Sequence, residues 1–165
     1  NNIGTEWSNK IATTIWKVGG NTYAKIRDVV PSVAYQNEIV NPVPGQYSTT
    51  GETEYEAKIG LMYVSDYFYA ASPSAWTLVG YNRSDSTKTY ISARTINWLY
   101  LGSDEWTISR RSDYAGRVVF VGSSGGLYDK NVNEGSYAVR STFSLLSSVT
   151  YASGSGTSSD PIRIN

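Results

Sequence analysis

The chain has neither cysteine nor histidine among its 165 residues. Without cysteine there is no disulfide and no thiolate metal site. Without histidine the commonest general base and metal ligand is missing. That removes a Ser-His-Asp triad and argues against a conventional zinc site. Charge is also scarce: charged residues make up 17 % of the chain, and 14 basic residues balance 14 acidic ones. Nucleic acid and anionic membrane both need a basic excess, so neither is expected as the main partner. No run approaches the ~20 apolar residues of a membrane span. Phenylalanine is sparse, with 3 copies against 14 tyrosines and 5 tryptophans. Tyr and Trp keep a polar edge and suit half-buried positions and binding surfaces. With abundant Ser, Thr, Gly and Asn, this composition fits an extracellular β-rich domain. The length fits one domain covering residues 1–165. No signal peptide is read at the start. The abrupt opening Asn1-Asn2-Ile3 is expected of a trimmed or processed fragment.

Periodicity predicts an α+β domain. Trp7, Ile11 and Ile15 recur at i, i+4 and i+8, with Ala12 and Trp16 beside that stripe, so a helix is expected over Thr5 to Val18. Thr5 would cap it and Gly19-Gly20 would end it. This places its tryptophans in the core rather than at a ligand. Asn21 to Tyr35 is ambiguous, because Tyr23, Lys25 and Arg27 alternate with Ala24 and Ile26 up to a break at Pro31. Asn41 to Gly51 is a loop carrying Pro42, Pro44, Gly45 and Gly51. Lys58 to Val64 is expected as a central strand. A short helix over Tyr67 to Ala71 follows, capped by Ser65-Asp66 and closed by Pro73. Asn82 to Thr89 is polar and aperiodic, and is expected as a mobile loop. The run Ile96 to Leu101 is expected to be buried.

The stretch from Trp98 to Leu146 organises the rest as a largely antiparallel sheet. Trp106 and Ile108 alternate with Thr107 and Ser109, and Arg117 to Val121 is a short apolar strand ending at Gly122. Tyr137, Val139, Phe143 and Leu145 would share one buried face, opposite Ala138, Arg140, Thr142 and Ser144. Val149 and Tyr151 would extend a strand, GSGTSSDP would turn, and Ile162 and Ile164 would form a closing edge strand.

Between these strands lie residues suited to a ligand: Arg110, Arg111, Asp113 and Tyr114, then Tyr128, Asn131, Asn133 and Glu134. They interrupt the apolar alternation, so the core does not need them. Aromatic rings beside guanidinium and amide groups suit sugars and peptides alike. Trp106 and Tyr137 head alternating apolar faces and read as core. Tyr114, Tyr128, Asn131 and Asn133 sit in turn-like segments, where binding and scaffold roles are about equally compatible with the pattern.

Four motifs in this order resemble a family of Gram-positive extracellular proteins abundant in gut bacteria. They are KIGLMYVSDYFYAAS from Lys58, NWLYLGSDEWTISRRS from Asn97, YAVRSTFSLLSSV from Tyr137 and GSGTSSDPIRI from Gly154. Members often follow a pilin-like or lipid-anchored segment. This chain departs from the usual late motifs with Ser141 in place of Pro, Ser155 in place of Thr and Ile162 in place of Tyr. More remotely, the layout is similar to the C-type-lectin-like fold of formylglycine-generating enzymes and retroelement-diversified receptors. That resemblance implies ligand-facing residues at Arg110 to Tyr114 and Tyr128 to Glu134, and a structural role for Arg140, paired with an acid or with carbonyls. Fold analogy does not settle function.

No cofactor is expected. The calcium loops of sugar-binding C-type lectins are missing, although scattered Asp, Asn and carbonyl oxygens leave room for calcium. Formylglycine-generating chemistry needs cysteine. Glu52, Glu54 and Glu56 are the available glycosidase-type carboxylates, but they read better as a solvated strand edge. Lys58 could join an isopeptide crosslink only if buried beside an Asn and an acid. Two functions compete: a non-enzymatic recognition domain on the cell surface, adhesin-like or pilus-associated, with a glycan or protein ligand; and a structural pilin or stalk subunit that self-associates.

Overall fold

The computed structural model describes residues 4–46, 52–81 and 86–165. The chain forms a mixed α/β structure of several small sheets and short helices. The expected loops at Asn41 to Gly51 and Asn82 to Thr89 lie partly outside the described residues, at 47–51 and 82–85. Within the second, Ser86–Lys88 makes a 3-10 turn, and Thr89 is buried in a bridge to Val79.

The helix expected over Thr5 to Val18 is only one turn, α1 (Gly4–Ser8). The chain then extends into β1 (Thr14–Lys17), which pairs antiparallel with β3 (Glu54–Ala57). The β-branched run Thr13, Thr14 and Ile15 favours this extended course, because such side chains lose rotamer freedom in a helix. In place of one shared apolar stripe, Ile11 and Trp16 are buried while Trp7 and Ile15 face outward. The ambiguous stretch after β2 (Gly20–Asn21) resolves into α2 (Tyr23–Asp28) and α3 (Pro31–Tyr35). Pro31 starts α3 at a position where its missing N–H costs nothing. A π-helical turn, Gln36–Val40, continues it.

Lys58 to Val64 is not a central strand. Only β4 (Gly60–Leu61) pairs there, and α4 begins at Val64 and runs to Tyr69, earlier than its sequence signal. Asp66 is the third residue of α4, and its Oδ2 accepts the Tyr63 backbone N–H at 2.8 Å, closing the helix start. α5 (Tyr90–Ala93) follows. The principal sheet has the order β2, β5 (Glu105–Arg111), β6 (Arg117–Val121), β7 (Leu127–Asn131). β2 lies parallel to β5, and the other pairs are antiparallel. The core lies between this sheet and the helices, where Tyr67, Phe68, Tyr90, Val119, Val121 and Leu127 are buried together. Tyr67 donates its hydroxyl to the Gly125 carbonyl and Tyr90 to the Phe68 carbonyl, so the buried phenols remain satisfied.

β5 alternates as expected, but with the opposite face inward. Glu105, Thr107 and Ser109 are buried. Each has a partner there: Thr107 Oγ1 donates to the Val119 carbonyl at 2.7 Å, Ser109 Oγ accepts the Val64 N–H at 3.0 Å, and Glu105 pairs with Arg140. Trp106 lies on the other face, packed with Phe120 and Tyr137. The long strand expected over Tyr137 to Leu145 is replaced by a path with changing partners. Ala138 bridges Glu105, β8 (Ser141–Thr142) pairs with β4, and Leu145 bridges Ile11. Val139, Phe143 and Leu145 are exposed. A closing hairpin forms, β9 (Tyr151–Ser153) against β10 (Arg163–Ile164), but Val149 and Ile162 lie outside its strands.

Candidate functional site

β5 ends at Arg111, and the turn to β6 carries Asp113 and Tyr114. Gly116, with φ of +76°, supplies the left-handed step that lets the turn close. The side chains here interlock. Arg111 donates through Nε to Asp113 Oδ1 at 3.0 Å and through Nη1 to Asp129 Oδ2 at 3.1 Å. Arg117 donates to the same Asp129 oxygen at 2.6 Å. Asp113 also accepts the Tyr23 backbone N–H, tying α2 to the turn. The Arg111 guanidinium lies 4.9 Å from the Tyr23 ring centre and 5.3 Å from that of Tyr114, with Arg117 at 5.5 Å from Tyr114. Arg27 stands against the Tyr23 ring at 4.9 Å. Burial alone would lower the Arg111 pKa, but its bonds to Asp113 and Asp129 outweigh that and raise it. For Asp113, burial acts upward, while Arg111 and the Tyr23 N–H hold it below the usual carboxylate range. Arg111 and Asp113 are thus first of all structural ties.

A cleft of about 360 Å³ opens beside this ladder, lined in part by Gly45, Gln46, Arg110, Tyr114 and Arg117. Arg110 is the distinctive group. Its Nη2 donates to the Glu52 carbonyl at 3.0 Å, its buried Nε has no hydrogen-bond partner, and it forms no ion pair among the described residues. Burial lowers its pKa. Gly45 lets the guanidinium approach, since a Cβ there would lie 3.1 Å from Nη1. Tyr114, 53 % exposed, forms the other wall.

Of the eight sequence-predicted site residues, Arg110, Arg111 and Tyr114 line this cleft, and Asp113 stands behind it as the cap of α2. Tyr128 belongs elsewhere. It stacks on Phe120, pairs its hydroxyl with Ser124 at 3.0 Å, and lines a separate cleft of about 330 Å³ with Asp104 and Ser123. Asn131, Asn133 and Glu134 do not line the Arg110 cleft, although Val132 between them does. Asn131 donates to Glu134 at 2.9 Å, and that bond, helped by Lys130, lowers the Glu134 pKa. Gly45, Gln46 and Arg117 were missed. Gly45 and Gln46 lie far away in sequence, and Arg117 reads as an ordinary strand residue.

Among the described residues, no group of three or more acidic side chains is placed to hold a metal ion. Glu54 and Glu56 lie exposed on β3, as expected of a solvated edge. Lys58 is exposed and donates to the Ser8 carbonyl, which removes the burial that an isopeptide crosslink requires. The arrangement as a whole suits binding: a cationic planar group, an aromatic ring and accessible backbone.

Comparison of the chain with protein-family models, with curated proteins and with solved structures finds no match.

Proposed function

We propose that this chain is a non-enzymatic recognition domain, displayed on a bacterial cell surface in a C-type-lectin-like arrangement, that binds a glycan or protein ligand at the Arg110 cleft. The observation that carries the reading is Arg110 itself, a half-buried guanidinium with an unpaired Nε and, among the described residues, no acidic partner, in one cleft with exposed Tyr114. Tyr and Arg dominate binding hot spots. The four motifs and their resemblance to extracellular proteins support the surface location. Neither nucleic acid nor insertion into a membrane enters this reading. No helix among the described residues is long and apolar enough to cross a membrane. Glycan and protein arrays supply the test, followed by calorimetry on Arg110→Ala and Tyr114→Ala. Each variant is expected to weaken binding by about 1–3 kcal/mol. Normal binding by both would move the site elsewhere.

A second reading, a pilin or stalk subunit that self-associates, is favoured by the exposed strand edges. Among the described residues, β1 and β3 form a sheet of their own with two open edges, and Ile15 and Tyr55 stand out from it. Concentration-dependent assembly without ligand, followed by sedimentation, would support this reading over the first.

A further inference from the structure

A second cleft, of about 390 Å³, lies between α4 and the segments around Trp98 and Arg140. Trp98 is 77 % exposed, more than any other large apolar side chain among the described residues. Its backbone is nevertheless held firmly. Trp98 N–H donates to the Ala70 carbonyl at 3.2 Å. Its neighbour Asn97 is buried, donating to the Tyr67 carbonyl at 2.7 Å and accepting the Leu99 N–H at 2.9 Å. Tyr69 lines the same cleft, and Trp76 braces it edge-on at 5.1 Å between ring centres. The backbone that carries Trp98 and the ring of Tyr69 are therefore held before any ligand arrives, which lowers the cost of binding.

Two polar groups complete the cleft. Asp66 uses Oδ2 on the Tyr63 N–H, and among the described residues Oδ1 has no donor. Arg140 sets Nε 2.9 Å from Glu105 Oε1 and donates through Nη2 to Glu105 Oε2 and the Leu99 carbonyl, and among the described residues Nη1 has no acceptor. Asp66 opposes an anion and Arg140 opposes a cation. The Arg140 charge is also already balanced by Glu105. The chemistry fits a neutral ligand with an apolar face and adjacent hydroxyls.

We propose that this cleft is a second binding site, which takes a pyranose unit of a neutral glycan. The C–H face of the sugar stacks on the ring of Trp98 or Tyr69, and a vicinal diol bridges Asp66 Oδ1 and Arg140 Nη1. The volume is within the range of small-molecule sites. This names a ligand class for the recognition reading and rests on it, but at a cleft separate from that of Arg110.

The test is titration of the protein with cellotetraose, laminaritetraose, maltotetraose and linear galactan and mannan oligosaccharides. Binding is followed by tryptophan fluorescence and saturation-transfer NMR. At least one sugar is expected to bind in the millimolar range or tighter, with Trp98→Ala weakening it about tenfold or more. Asp66→Asn, which keeps an oxygen for the Tyr63 N–H, should weaken it as well. Trp98→Phe should retain part of the affinity, and Tyr55→Ala, an exposed aromatic on β3, all of it. Thermal midpoints should stay unchanged in Trp98→Ala and Trp98→Phe. No response to any of these sugars at about 10 mM would overturn the inference alone, since the arrays test the recognition reading separately. Sugar binding that survives Trp98→Ala but falls in Arg110→Ala would overturn this site and leave the recognition reading standing.

Discussion

Glu105 and Arg140 form a two-contact ion pair, Nε 2.9 Å from Oε1 and Nη2 donating to Oε2 at 3.0 Å. The Glu105 side chain is 1 % exposed, while Arg140 reaches the surface. Burial raises the Glu105 pKa, and Arg140 works against that rise. The pair joins β5 to the strand-like segment before β8, and Arg140 also holds the Leu99 carbonyl. A structural role paired with an acid and a carbonyl is what the family resemblance implies for Arg140.

Removing Arg140 leaves a buried carboxylate uncompensated. Arg140→Ala is expected to lower unfolding free energy by about 2–4 kcal/mol at neutral pH, toward the lower end of the range for buried pairs because Arg140 is partly solvated. The double variant Arg140→Met with Glu105→Gln should recover much of that loss. Urea denaturation of the three proteins measures both effects. Equal stability of Arg140→Ala and the parent would refute the assignment.

Glu38 should make stability pH-dependent. It is fully buried in the π-helical turn. Oε2 accepts the Ser65 N–H at 3.1 Å, and Oε1 has no partner in hydrogen-bonding geometry. Burial raises its pKa from the ordinary 4.5 to about 7, against the pull of the Ser109 and Ser65 hydroxyls and the Ser65 N–H, with the Asp66 charge adding to the rise. The folded state therefore binds a proton that the unfolded chain has released between these two values. Stability is full below about pH 4.5 and is lost as pH rises through about 7, by up to ~3 kcal/mol. Asp66 and Glu105, also raised by burial, slope the same way. Glu38→Gln should flatten the profile between pH 4.5 and 7, seen in thermal midpoints across that range. A parallel pair of profiles would rule Glu38 out as the source.

Arg111 and Tyr114 should separate in their effects. Arg111 ties Asp113 to Asp129, whose side chain is only 5 % exposed, so Arg111→Ala is expected to cost about 1–2 kcal/mol of stability. Arg117 remains on Asp129 and limits the loss. Tyr114→Ala removes an exposed ring and should stay within about 0.5 kcal/mol. Calorimetric melting distinguishes them; equal destabilisation would contradict the division into scaffold and surface.

Gly60 lies under the Trp16 ring, where an added Cβ would come 2.7 Å from Cδ2, Cε2 and Cε3. Trp16 has little room to yield, because it is buried, packs on Tyr63 and donates to the Ala57 carbonyl at 3.0 Å. Gly60→Ala is expected to cost about 1–3 kcal/mol by overpacking and to shift the tryptophan emission. An unchanged melting curve and spectrum would show that the ring moves freely.

The sequence by itself determined the exclusion of disulfides and histidine chemistry, the alternation of β5, the apolar strand β6, the Gly/Ser turn of the closing hairpin and the polar turn that follows Arg111. These are local properties, written in side-chain period and turn residues. Only the tertiary structure decided which face of β5 is buried. Alternation states that the two faces differ; it does not state which one meets the helices. Thr107 and Ser109 go inward because the Val119 carbonyl and the Val64 N–H wait there to be satisfied. In the same way, the Trp7, Ile11 and Ile15 spacing fitted a helix until Glu54–Ala57 offered β1 a pairing partner. Trp98 reads as core because it sits in an apolar run, yet Asn97 within that run and the Ala70 carbonyl pin the backbone, and its ring faces water. Burial depends on what the rest of the chain brings to a surface, and residues distant in sequence supply it.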